Sequence, residues 1–162
     1  MSDTESQLIT SRSGFHEAVR HGFAEAAAAG CPEIWLCDAD FADWPLGERA
    51  VVEHLTRWAG AQRRFTLVAS HFDEVARRHA RWVEWRRNWA HVVQCCTNTE
   101  IERGRFPCAM LASGCFSLTL FSPEHHRGRV SRDAADLRRC RESIDAVLQH
   151  SVASFPAATT GL

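Results

Sequence analysis

Residues 33–70, EIWLCDADFADWPLGERAVVEHLTRWAGAQRRFTLVAS, decide the fold. EIWLC (33–37) is a short apolar run, the pattern of a strand covered on both faces. Val51, Val52, Leu55 and Trp58 then recur at helical spacing within GERAVVEHLTRWAG (47–60). RFTLVAS (64–70) is a second buried run. Strand, helix, strand at this spacing predicts parallel pairing, because only a crossover returns the chain in the same direction.

The same grammar extends outward from that stretch. Upstream, SGFHEAVRHGFAEAAAAG places Phe15, Val19, Phe23 and Ala27 on one helical face and ends at Gly30, a glycine stop. Downstream, residues 72–89 read as helix with a break near His79-Ala80, and His91 to Cys96 as a third strand. CAMLASGCFSLTLFS (108–122) reads as a hairpin turning at Ser113-Gly114. PEHHRGRVSRD (123–133) reads as a polar loop, and DAADLRRCRESIDAVLQH as a last helix capped by Asp133. The expectation is one α/β domain over 1–162, a mixed and mainly parallel sheet (βαβαβ plus hairpin) flanked by helices. Residues 1–12 form a flexible lead and 152–162 a tail.

Composition narrows the chemistry. The chain has 162 residues, 45% hydrophobic and 24% charged, in the range of a globular domain. It lacks an apolar run long enough to span a bilayer and a secretion signal, so the expectation is a cytoplasmic protein with no membrane partner. A net charge of −1 sets nucleic acid aside as a partner. All 19 basic residues are arginine, which excludes a lysine Schiff base or lysine general base. Seven cysteines without a CxxC pair argue against structural zinc and fit reduced thiols in a core. No cofactor motif occurs: there is no GxSxG, Walker loop, GxGxxG or HExxH.

In a parallel sheet, ligands gather beyond the carboxyl ends of the strands. Asp38 and Asp40 follow the first strand, His71 the second and Asn98 the third, and these four are the candidate ligand-binding residues. Asp38, Asp40 and His71 could also support a metal-assisted hydrolysis. Asp73 reads as an acid at a helix start and Asp43 as part of a turn. His125-His126 with Arg127 and Arg129 could hold an anion or metal, or lie solvated in their loop. Trp82, Trp85 and Trp89 share one helical face, a candidate homodimer interface that could equally pack on the sheet.

The phrases IWLCDADFADWPLGERAVVEHLTRWA, RFTLVAS, ARWVEWRRNWAHVVQCC, CAMLAS and FSLTLFS together resemble half of a phospholipase-D-like domain, including a proteobacterial branch of it. That resemblance implies a bacterial source and a chain that pairs with a second copy. It also implies that the place of the superfamily's HxKxxxxD motif is 107–114, with Pro107 for the histidine nucleophile, Ala109 for the lysine and Gly114 for the aspartate. Neither proline nor alanine can attack or neutralise a phosphoryl group. The expected function is therefore a non-catalytic module that binds a small anionic ligand or a protein partner.

Overall fold

The computed structural model describes residues 6–60 and 62–155. Its elements are β1 (Gln7–Ile9), α1 (Arg12–Ala29), β2 (Glu33–Cys37), α2 (Arg49–Trp58), β3 (Arg64–Ala69), α3 (Asp73–Arg78), α4 (Ala80–Asn88), β4 (Val93–Thr97), β5 (Cys108–Ala112), β6 (Phe116–Ser122), β7 (Arg127–Ser131), α5 (Ala134–Leu148) and β8 (Val152–Ala153). Local chemistry sets the helix ends. Ser11 accepts the Gly14 amide at the start of α1, and Gly30 closes that helix in the left-handed region at φ 68°. Asp133 caps α5 by accepting the Ala135 and Asp136 amides, as the sequence predicts.

All eight strands join one sheet in the order β1-β7-β6-β5-β2-β3-β4-β8. Only β2–β3 and β3–β4 pair in parallel, while β1–β7, β7–β6, β6–β5, β5–β2 and β4–β8 are antiparallel. The sheet is mixed but mostly antiparallel, which corrects the mainly parallel expectation. The βαβαβ unit is present. Its first strand, however, takes the β5–β6 hairpin on its other side, β7 follows by a short return, and β1 and β8 add to the two edges from distant parts of the chain.

Those extra strands replace coil expectations. Arg127–Ser131 is a strand, not a polar loop, and its buried Gly128 and Val130 alternate with Arg127, Arg129 and Ser131. Gln7–Ile9 of the lead and Val152–Ala153 of the tail pair at the two sheet edges. Segments this short carry no period of their own, and a waiting edge strand decides them. The remainder of the tail, 156–162, lies outside the described residues.

Helices cover both faces, unequally. Phe15, Val19, Phe23, Val51, Leu55, Trp58 and Trp82 pack with Ile34, Leu36, Phe65, Leu67 and Met110 on one face. Cys140, Ile144 and Val147 of α5 pack with Trp35, Cys37, Val68, Ala109 and Leu111 on the other. Trp82 and Trp85 sit inside the first layer, edge-on to Phe65 at 6.4 and 6.2 Å between ring centroids. Trp89 stacks on Trp85 at 6.2 Å. Trp82 and Trp85 are thus spent on the chain's own core, while Trp89 is half-buried. Cys31 and Cys115 are joined as a disulfide, correcting the expectation that every thiol is reduced, while Cys37, Cys95, Cys96, Cys108 and Cys140 are free and buried. No helix among the described residues is long and apolar enough to cross a membrane.

Candidate functional site

At the carboxyl ends of β2, β3 and β4 the polar groups serve the backbone. Asp38 Oδ2 accepts the amides of Phe41 at 2.8 Å and Asp40 at 3.2 Å, fixing the turn that leaves β2. Asp40 Oδ1 accepts the Ala42 amide at 3.0 Å, and its other oxygen pairs with Arg103. His71 Nδ1 accepts the Asp73 amide at 3.3 Å as α3 begins. Asn98 is buried: its Nδ2 donates to the Val147 carbonyl at 3.0 Å, and its Oδ1 accepts the amides of Glu100 at 2.8 Å and Ile101 at 3.3 Å. Among the described residues no group of three His, Cys, Asp or Glu side chains could hold a metal.

Asp43, read from sequence as a turn residue, is the most connected acid in this region. His126 Nε2 lies 2.5 Å from its Oδ2, Arg12 Nε donates to Oδ1 at 2.8 Å, and His16 Nε2 lies 2.6 Å from its backbone carbonyl. Three elements are thereby tied together: the start of α1, the loop after β2 and the β6–β7 turn. The two acids titrate in opposite senses. Burial pushes the Asp38 carboxyl above the ordinary carboxylate range despite the two amides it accepts. Burial acts on Asp43 too, but the hydrogen bonds from His126 and Arg12 outweigh it and hold that carboxyl below the range.

The cavity with the richest set of unspent groups lies elsewhere, on the α5 face. Cross-strand register places Ala109, Thr119 and Arg129 in one row and Leu111, Ser117 and Ser131 in the next. Pro107, Phe121, and Asp136, Arg139, Cys140 and Ser143 of α5 complete the walls of a groove of about 160 Å³. It lies where α5, packed over β5, β6 and β2, meets β7 through Ser131 and Asp136. Ser131 Oγ donates to Asp136 Oδ2 at 2.6 Å, Arg139 pairs with Oδ1, and Arg129 Nη2 lies 3.8 Å from Oδ2. The Ser131 hydroxyl and Arg139 hold the Asp136 carboxyl below its ordinary range.

Two guanidinium groups share one carboxylate here, leaving one positive charge without a partner in the groove wall. That charge favours an anion. Among the described residues no histidine lines the groove, Ser131 Oγ is hydrogen-bonded to Asp136, and burial raises the Cys140 thiol to about 11. Pro107 and Ala109, the positions the resemblance assigns to nucleophile and lysine, do stand in this wall. Gly114 does not, since it occupies the β5–β6 turn at φ 78°. Sequence reading named Arg129 as a possible anion holder beside His125-His126 but placed it in a loop, whereas it stands on β7. The available signal was the alternation Arg127, Arg129, Ser131 against Gly128 and Val130.

No protein-family model and no curated protein matches the chain. Solved structures share the fold. One is TrmBL2, an archaeal chromatin protein described as showing a novel mode of DNA binding, at a TM-score of 0.66 and 9% identity, covering 95% of this chain. The chain spans 55% of that protein's length. Another is NucT from Helicobacter pylori, at a TM-score of 0.52 and 6% identity, covering 94% of this chain and 100% of that one. At such identities the likeness is one of fold. It nonetheless corrects the reading that set nucleic acid aside on net charge, because the fold is shared with a DNA-binding protein and a charge summed over the whole chain says little about one groove.

Proposed function

We propose that this chain is a non-catalytic, phospholipase-D-like module whose α5-side groove holds the phosphate backbone of a nucleic acid. The observation that carries the reading is the pair Arg129 and Arg139 set around the single Asp136, in a wall where Pro107 and Ala109 stand at the positions the resemblance gives to histidine and lysine. Guanidinium groups match phosphate oxygens in charge and fork geometry. The fold shared with TrmBL2, a chromatin protein that binds DNA, supports the choice of anion. The alternative of metal-assisted hydrolysis by Asp38, Asp40 and His71 draws no support, because among the described residues no group of three such side chains could hold a metal.

The test is fluorescence anisotropy of a labelled oligonucleotide titrated with salt, for wild type and for Arg129→Ala, Arg139→Ala and the double variant. Affinity falls in each single variant, and in the double variant the slope of log K against log salt decreases by roughly 1.5, the loss of about two phosphate contacts. Incubation of the protein with a chromogenic phosphodiester gives no turnover. An unchanged salt slope in the double variant overturns the reading, and so does turnover that disappears on substitution of a groove residue.

A further inference from the structure

We infer that the groove selects single-stranded nucleic acid, with an unpaired base stacked on Phe121 beside a phosphate held by Arg129; this rests on the backbone-binding reading above. Three large hydrophobic residues are exposed among the described residues, and two of them flank Arg129: Phe121 at 63% and Leu8 at 71%. Leu8 is the direct register partner of Arg129 across β1–β7, so both project from the same face. Phe121 is there because the β6–β7 ladder slips. Leu120 pairs with Gly128 and Ser122 with Arg127, which leaves Phe121 as the extra residue of a bulge, a device that re-aims a side chain.

The Arg129 guanidinium stands 5.6 Å from the Phe121 ring centroid. The guanidinium lies over one face of the ring, and Phe121 is otherwise largely exposed at the mouth of the groove. A nucleotide presents the matching pair, an anionic phosphate and a planar base, but only an unpaired base has a π-face free to stack. In a duplex those faces are spent on neighbouring base pairs. An arginine beside exposed apolar side chains also suits a protein contact. The unpartnered positive charge in the groove wall, behind that mouth, favours the phosphate-bearing ligand.

The experiment compares three labelled probes by anisotropy at low salt: oligothymidylate, an abasic oligomer with the same backbone, and a duplex of equal length. Wild type binds oligothymidylate more tightly than either of the others. Phe121→Ala weakens oligothymidylate about tenfold, the loss of one stacked base, leaves the abasic oligomer unchanged, and Phe121→Trp restores the affinity. Oligothymidylate binding unaffected by Phe121→Ala, or a duplex bound as tightly as the single strand, overturns the inference; if Arg129→Ala still weakens every probe, the backbone-binding reading survives. No binding of any probe overturns both. If Phe121→Ala instead abolishes self-association in light scattering without changing oligonucleotide affinity, the face is a protein contact and the inference falls.

Discussion

The two faces of the sheet treat their polar side chains differently. On the side covered by α1 to α4, Asp38, Asp40 and Asp43 lie in a loop where nearly every carboxylate oxygen meets an amide, an arginine or a histidine of the chain itself. On the α5 side, Arg129, Arg139 and Asp136 face a cavity with charge left over. A dense acidic cluster is the more conspicuous feature in the sequence, yet its groups are spent. The sparser groove has unspent ones, and binding requires groups that are free to exchange partners.

If that contrast is right, the covered face carries stability and the open face carries ligand. The largest expected effect is at Trp82, fully buried among Phe65 and Trp85. Trp82→Ala should cost about 3–5 kcal/mol in denaturant unfolding, while a loss below about 1 kcal/mol would return the tryptophans to the surface and break the contrast. Gly128→Ala comes next. A Cβ at that position would lie 2.0 Å from the Thr119 carbonyl oxygen, so β6 and β7 must part under the groove. Stability should fall by about 1–3 kcal/mol and oligonucleotide affinity with it, read in the same preparation.

Smaller effects separate the two acids of the covered loop by pH. Asp43 has a depressed carboxyl, so its contribution is present above the unfolded value of about 3.9 and is lost as pH falls through the folded value. Asp38 has a raised one, so its contribution is complete below that unfolded value and is lost as pH rises through the folded value. Unfolding midpoints between pH 3 and 7 should therefore show Asp43→Asn most harmful at neutral pH, while Asp38→Asn improves relative to wild type as pH rises. Matching pH trends for the two variants would contradict the opposite environments. The smallest stability effect belongs to the groove: Arg139→Ala, at an exposed side chain, should change unfolding by less than about 0.5 kcal/mol while oligonucleotide affinity drops.

Legibility in the sequence followed the length of each pattern. α1, α2 and α5 were plain because their apolar periods run over ten or more residues, and the break at His79 showed in the pattern as well. The five-residue β7 was hidden behind arginine and glycine, with only two core-facing positions to mark it. β1 and β8, three and two residues long, carried no mark at all. Of the candidate ligand residues, Asp38, Asp40, His71 and Asn98 were rightly placed near strand ends, but composition does not tell whether an oxygen there already has a donor.

What the chain order determined was the alternation of buried runs, the helix caps and the absence of lysine, with alanine at position 109. Those properties are local, set by side-chain period and residue chemistry. Tertiary structure alone decided that β5 lies beside β2, that β7 carries Arg129 opposite Thr119, and that Asp136 of α5 meets Ser131 and Arg129 there. Strand neighbours are chosen by hydrogen-bonding edges distant in sequence, so the groove came into being only when those edges met.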